Sequence, residues 1–130
     1  MARIGILTGG GDCPGLNAVI RGVVRAGVNR FGHHIIGFRY GWSGVLQGNT
    51  VELTAQNTAG ILHRGGTILG TSRTNPYQEG ADGTALVREV LERESIDAII
   101  PIGGEDTLGV ANRLHSESAV RVVGVPPRWM

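Results

Sequence analysis

The sequence predicts an α/β domain in which a parallel β-sheet carries helices on both faces. Short apolar runs alternate with longer stretches whose apolar residues recur at helical spacing, along most of the 130 residues. Two of the apolar runs, around Ile6 and Ile100, lead directly into glycine-rich connections followed by helical patterns. Glycine accounts for 22 residues, far above the average of roughly 7%, which implies many tight turns and close backbone approaches.

The elements follow in order. Arg3-Ile4-Gly5-Ile6-Leu7 reads as a buried strand and Thr8 to Gly15 as its loop. Leu16 to Phe31 is a helix, with Leu16, Val19, Ile20, Val23, Val24 and Val28 on one face. His34 to Phe38 is a second strand, Arg39 to Asn49 reads as irregular, and Thr50 to Thr54 as a short strand. Ala55 to His63 has a helical pattern stopped by Arg64-Gly65-Gly66, and Thr67 to Leu69 reads as a short strand. Gly70 to Gly83 is a polar loop, and Ala85 to Glu94 a helix with Leu86, Val87, Val90 and Leu91 on its apolar face. Ile96 to Ile102 is the clearest buried strand and runs into Gly103-Gly104-Glu105-Asp106-Thr107. A helix over Leu108 to Leu114 and a strand over Val120 to Val125 complete a Rossmann-like order, with ligands expected at the carboxyl ends of the strands.

Composition bounds the function. Charged residues are 18% of the chain, too few for a disordered one, and no stretch approaches the 18 or so apolar residues of a spanning helix. The start shows no signal-peptide pattern, so a cytoplasmic protein is expected. A net charge of +1 gives no case for nucleic acid or a membrane surface as partner. One cysteine, Cys13, excludes an internal disulfide. All 12 basic residues are Arg, so a phosphate loop of the lysine-dependent kind is excluded. His33, His34, His63 and His115 show no metal-ligand spacing.

Three segments carry candidate chemistry. Thr8-Gly9-Gly10-Gly11-Asp12-Cys13-Pro14-Gly15 lacks the dinucleotide fingerprint, but its glycines precede a helix amino terminus, where backbone N–H groups and the helix dipole suit a phosphate. The same glycines equally suit a plain strand-to-helix turn. Gly103-Gly104-Glu105-Asp106-Thr107 sets two carboxylates among glycines at a strand end, suited to magnesium bridging phosphate oxygens. Its other reading is helix capping by Asp106 or Thr107, with Glu105 solvated. Gly65 to Arg73 ends in an arginine able to neutralise a transferring phosphoryl group, or else an ordinary exposed arginine.

Together these segments resemble the phosphofructokinase family. The resemblance rests on Gly9 to Arg21, on Gly65 to Arg73, and on Pro101-Ile102-Gly103-Gly104-Glu105-Asp106-Thr107, in matching order and spacing through about Pro126. It implies an amino-terminal portion, residues 1–126, of the donor-binding domain, with 127–130 a divergent tail. It implies that Gly10 and Gly11 approach the donor phosphates through their backbone, and that Gly104, Glu105, Asp106 and Thr107 also belong to the phosphate-binding set. It also implies that Arg73 contacts the donor and its transferring phosphoryl group, and that Glu105 takes the place of an acidic Mg2+ ligand that is usually Asp in the ATP-dependent members. At Asp106 the ATP-dependent members carry Gly and the pyrophosphate-dependent members Asp, which points to pyrophosphate as donor in preference to ATP. Such a carboxylate obstructs the larger anion by bulk and charge. Arg21 and Arg25 align with arginines that bind effector phosphates in regulated members, and a spacing of four puts them on one helix face.

The implied reaction of the full-length parent is phosphoryl transfer to the 1-hydroxyl of fructose 6-phosphate in glycolysis, by a homo-oligomer. Family members follow Gly-Val-Pro with Lys or Gly, then Thr-Ile-Asp or Thr-Met-Asp, whose Asp is the general base. Here the chain reads Gly124-Val125-Pro126-Pro127-Arg128-Trp129-Met130. Without that base, which contributes about 10²–10⁴ in rate, and without acceptor positioning, worth roughly 7–11 kcal/mol, the 130 residues alone are expected to be inactive. Thr-Met-Asp codons read one base later give Arg-Trp, which is one origin for Arg128-Trp129. Two other readings are a non-catalytic magnesium-phosphate-binding fragment and a small kinase similar to NAD kinases; the first loop and the Arg73 segment favour the phosphofructokinase resemblance over the latter.

Overall fold

The computed structural model describes residues 2–9, 16–60, 68–71, 76–77, 83–118 and 120–125. Among these residues, five strands form one sheet in the order β3-β2-β1-β4-β5: β1 (Arg3–Thr8), β2 (His34–Phe38), β3 (Thr50–Leu53), β4 (Ala98–Ile102) and β5 (Arg121–Val122). β1 is central and parallel to β2 on one side, with Ile4 opposite Ile35, and to β4 on the other, with Ile6 opposite Ile100. β5 is parallel to β4 and is extended by a bridge from Ile102 to Val125.

Side-chain alternation along the strands divides the core in two. On one face α1 (Leu16–Val24) lays Leu16, Ile20 and Val24 over Ile6, Ile35 and Ile102. On the other, α2 (Gly41–Gln47), α3 (Gly83–Arg93) and α4 (Glu105–Ser118) cover Leu7, Phe38 and Ile99. Ile6, Leu7, Phe38, Ile99 and Ile102 have no exposed surface, and each such burial contributes about 1.5–3 kcal/mol. The expected α/β sheet with helices on both faces is therefore present, parallel in all its pairings but one.

Several local expectations are corrected. β3 runs antiparallel to β2, because Arg39 to Asn49 turns back at the same sheet end, leaving Thr50 opposite Phe38. The region read as irregular contains α2, which propensity hides behind Gly41, Ser43 and Gly44. Its helix follows from tertiary packing: Trp42 and Val45 are buried, and a Cβ on Gly44 would collide with the Arg39 carbonyl oxygen. The first helix is α-helical only to Val24 and continues as a π-helical turn over Arg25–Arg30. It ends at Gly32, in the left-handed region at φ 67°.

Ala55 to Gly60 form turns where a helix was expected. There the Thr54 N–H donates to Asn57 Oδ1 (2.8 Å) and the Asn57 N–H to Thr54 Oγ1 (3.1 Å), so local side-chain bonds displace the helical pattern; residues 61–63 lie outside the described residues. Ile68–Leu69 is a bend where a strand was expected, since Ile68 N–H donates to Asn17 Oδ1 (2.9 Å) and Leu69 O accepts from Tyr40 N–H (2.7 Å). The last helix is longer than expected, beginning at Glu105.

Candidate functional site: the carboxyl ends of β1 and β4

The chain leaves β1 for α1 and β2 on one side and leaves β4 for α4 and β5 on the other, so the strand order reverses between β1 and β4. Such a switch point opens a crevice outside the carboxyl ends of the two strands. Their backbones meet closely there. Gly9 N–H donates to Ile102 O at 2.9 Å, and Gly103 N–H to Val125 O at 3.1 Å. A Cβ on Gly103 would sit 2.7 Å from Gly9 O and 2.9 Å from Thr107 Cβ, and one on Gly9 would overlap the Thr107 hydroxyl. Glycine at both positions therefore allows the first turn of α4 to dock on the end of β1, with Thr107 as the buried wedge.

That docking presents Glu105 and Asp106, both exposed, as the first two residues of α4. The helix macrodipole favours carboxylates at this terminus. Gly104 precedes them, and its carbonyl accepts the Leu108 N–H at 3.0 Å. Asp106 and Thr107 thus lie inside the helix, and the capping alternative for them is corrected: the half-in residue is Gly104. Neither carboxylate has a hydrogen-bond or ion-pair partner among the described residues, whose side chains include no cluster of three or more metal-ligating groups. Their oxygens are of the hard kind that magnesium takes, and two carboxylates would leave the rest of such an ion's shell to water or phosphate.

Around this centre the structure adds residues to which the sequence reading gave no role. The fully buried Thr8 hydroxyl at the end of β1 donates to Gly70 O at 2.9 Å. Gly70 has φ 73°, and a Cβ there would lie 2.8 Å from the Tyr40 ring. Tyr40 itself holds φ 65°, costly for a non-glycine residue, and is 54% exposed at the carboxyl end of β2. No sequence signal marks Tyr40, whereas the buried Asn17 was visible as a polar residue in the first turn of α1.

Of the sequence candidates, Gly104, Glu105, Asp106 and Thr107 are brought together; Gly10, Gly11 and Arg73 lie outside the described residues. Arg21 stands in α1 with its Nε buried and without a hydrogen-bond partner among the described residues, and Arg25 is exposed at the start of the π-helical turn. They lie five and nine residues beyond Leu16, about 8 and 14 Å along a helix that leads away from the site end.

The family model described as Phosphofructokinase matches residues 3–127. The chain belongs to the phosphofructokinase family. It is 56% identical over 124 residues to a pyrophosphate–fructose 6-phosphate 1-phosphotransferase of Streptomyces coelicolor, covering 95% of this chain and 36% of that protein. It is 53% identical over 124 residues to ATP-dependent 6-phosphofructokinase 3 of the same organism, with the same coverage. Among solved structures, Pichia pastoris phosphofructokinase in the T-state matches with a TM-score of 0.88 at 30% identity, over 98% of this chain and 15% of that one. The chain thus spans little more than a third of the length of these curated relatives. No helix among the described residues is long and apolar enough to cross a membrane.

Proposed function

We propose that this chain provides the phosphoryl-donor half of a 6-phosphofructokinase that uses pyrophosphate in preference to ATP. The supporting observation is the pairing of Glu105 with an exposed Asp106 on the first turn of α4, set against the glycine end of β1. In this reading Gly10 and Gly11 meet the donor phosphates through their backbone N–H groups, and the α4 amino terminus binds them as well. Glu105 holds Mg2+, which when bound neutralises charge on the transferring phosphoryl group. Arg73 stabilises the same charge as it develops. Asp106 occupies the space that the rest of an ATP molecule would need and repels its additional charge.

In this reading the site for fructose 6-phosphate and the base that takes the proton from its 1-hydroxyl lie in the part of the parent that this chain does not span, as does much of the surface that makes subunit contacts in a homo-oligomer. Residues 127–130 contain no Asp to serve as base. The 130-residue polypeptide is accordingly expected to bind magnesium pyrophosphate without sugar phosphorylation. Arg21 and Arg25, away from the donor end, are the candidates for an effector phosphate in the parent, in the cytoplasm where glycolysis runs.

Calorimetric titration with magnesium pyrophosphate and with magnesium ATP tests the donor. The wild-type chain is expected to favour pyrophosphate, and Asp106→Gly to shift that preference toward ATP by about tenfold, the scale of one lost charge contact. An unchanged preference in Asp106→Gly would remove Asp106 from donor selection.

A further inference from the structure

Ile68, Leu69 and Gly70 form a short strap that joins the carboxyl ends of β1 and β2. Three hydrogen bonds hold it. The Ile68 N–H donates to Asn17 Oδ1, in the first turn of α1, at 2.9 Å. The Leu69 carbonyl accepts the Tyr40 N–H at 2.7 Å, and the Gly70 carbonyl accepts the Thr8 hydroxyl at 2.9 Å. The Leu69 side chain is buried against β2, where a Cβ on Gly37 would fall 2.6 Å from Leu69 Cδ2. The strap therefore bonds to Thr8, the residue before Gly9 and its contact with α4.

Tyr40 is the strained partner of this strap. It and Gly41 follow β2 in left-handed backbone, at φ 65° and 61°. Glycine takes that conformation freely, and asparagine far more readily than tyrosine. Core burial does not account for a tyrosine here: Tyr40 is 54% exposed, whereas Phe38 and Trp42 on either side are buried. Its ring instead covers Gly70, where a Cβ would fall 2.8 Å from Tyr40 Cδ1 and 3.0 Å from Cε1. The N–H and the ring of one strained residue thus both meet the strap. Strain of this kind persists where the surroundings fix it, and it gathers at ligand sites.

We propose that Tyr40 is a positioning residue, whose ring and N–H pin the strap so that Gly70 fixes the Thr8 end of β1. That a phosphoryl donor feels this rests on the function proposed above; the pinning itself does not.

Tyr40→Asn tests it, because asparagine keeps the left-handed backbone at less strain and removes the ring. Urea unfolding, amide hydrogen exchange and magnesium pyrophosphate titration are compared on the 130-residue chain. Global stability is expected to be no lower than that of the wild type. Exchange at the Ile68 amide speeds by about tenfold, the scale of one lost hydrogen bond, with β4 unchanged. Pyrophosphate affinity falls several-fold, and Tyr40→Phe, which keeps the ring, retains wild-type exchange and affinity. A loss of global stability with uniformly faster exchange would make Tyr40 a structural residue and overturn the proposal. Unchanged exchange at Ile68, unchanged affinity, or a Tyr40→Phe chain that behaves like Tyr40→Asn would overturn it as well. A wild-type chain that binds no magnesium pyrophosphate would overturn the donor function instead, leaving exchange at Ile68 to decide whether Tyr40 pins the strap.

Discussion

The two ends of the sheet are built from different interactions. At the amino end, side chains tie the strands: Arg3 N–H donates to Asp97 Oδ2 at 2.9 Å, Arg3 Nε to Glu94 O at 3.0 Å, and Ala2 N–H to His33 Nδ1 at 3.0 Å. His34 and Glu52 add a 2.9 Å contact between β2 and β3. At the carboxyl end, β1 and α4 meet through glycine backbone and the Thr107 wedge, while Glu105 and Asp106 have no partner among the described residues. One end spends its polar groups on the fold; the other keeps carboxylates available for a ligand. The proposed donor-site residues lie where the fold leaves polar groups uncommitted.

The contrast can be broken most severely at Gly103. A Cβ there meets backbone as well as Thr107, so Gly103→Ala is expected to cost about 2–3 kcal/mol in urea unfolding. Gly104→Ala, which meets nothing within 4 Å, is expected to cost less than about 1 kcal/mol, the loss of a better cap residue. Equal costs at the two positions would refute the close-packed description of this end. A smaller effect belongs to the amino end, where Asp97→Ala removes the acceptor of Arg3 N–H and should lower stability by about 1 kcal/mol. The smallest is at Glu52: the His34 contact is about half exposed, so Glu52→Gln should cost at most about 0.2–1 kcal/mol, with the difference shrinking in high salt.

Legibility in the sequence followed the same division. Buried strands such as Arg3–Thr8 and Ala98–Ile102 are continuous apolar runs, and the acidic pair after Gly103-Gly104 stands out because little else in a buried strand-to-helix connection is charged. α2 was illegible because its glycines fit it against the Arg39 carbonyl, a tertiary demand that lowers helix propensity. The turns of Ala55 to Gly60 were hidden for the opposite reason, their apolar spacing being helical while Thr54 and Asn57 capture the backbone. Tyr40 left no trace, since a left-handed tyrosine follows from the packing of Gly70 and Leu69 around it. The hydrogen bonds that link Tyr77 to Thr84 and Thr84 to Glu117 join residues up to 40 positions apart, beyond any periodicity argument.

The most direct test of the donor-site account is a map of backbone amide shifts as magnesium pyrophosphate is titrated into the chain. The account predicts saturable shifts at Thr8, Gly9 and Gly103 to Thr107, with Ala2, His34 and Asp97 unmoved. Shifts centred on the amino end, or none at the carboxyl ends of β1 and β4 at millimolar pyrophosphate, would contradict it.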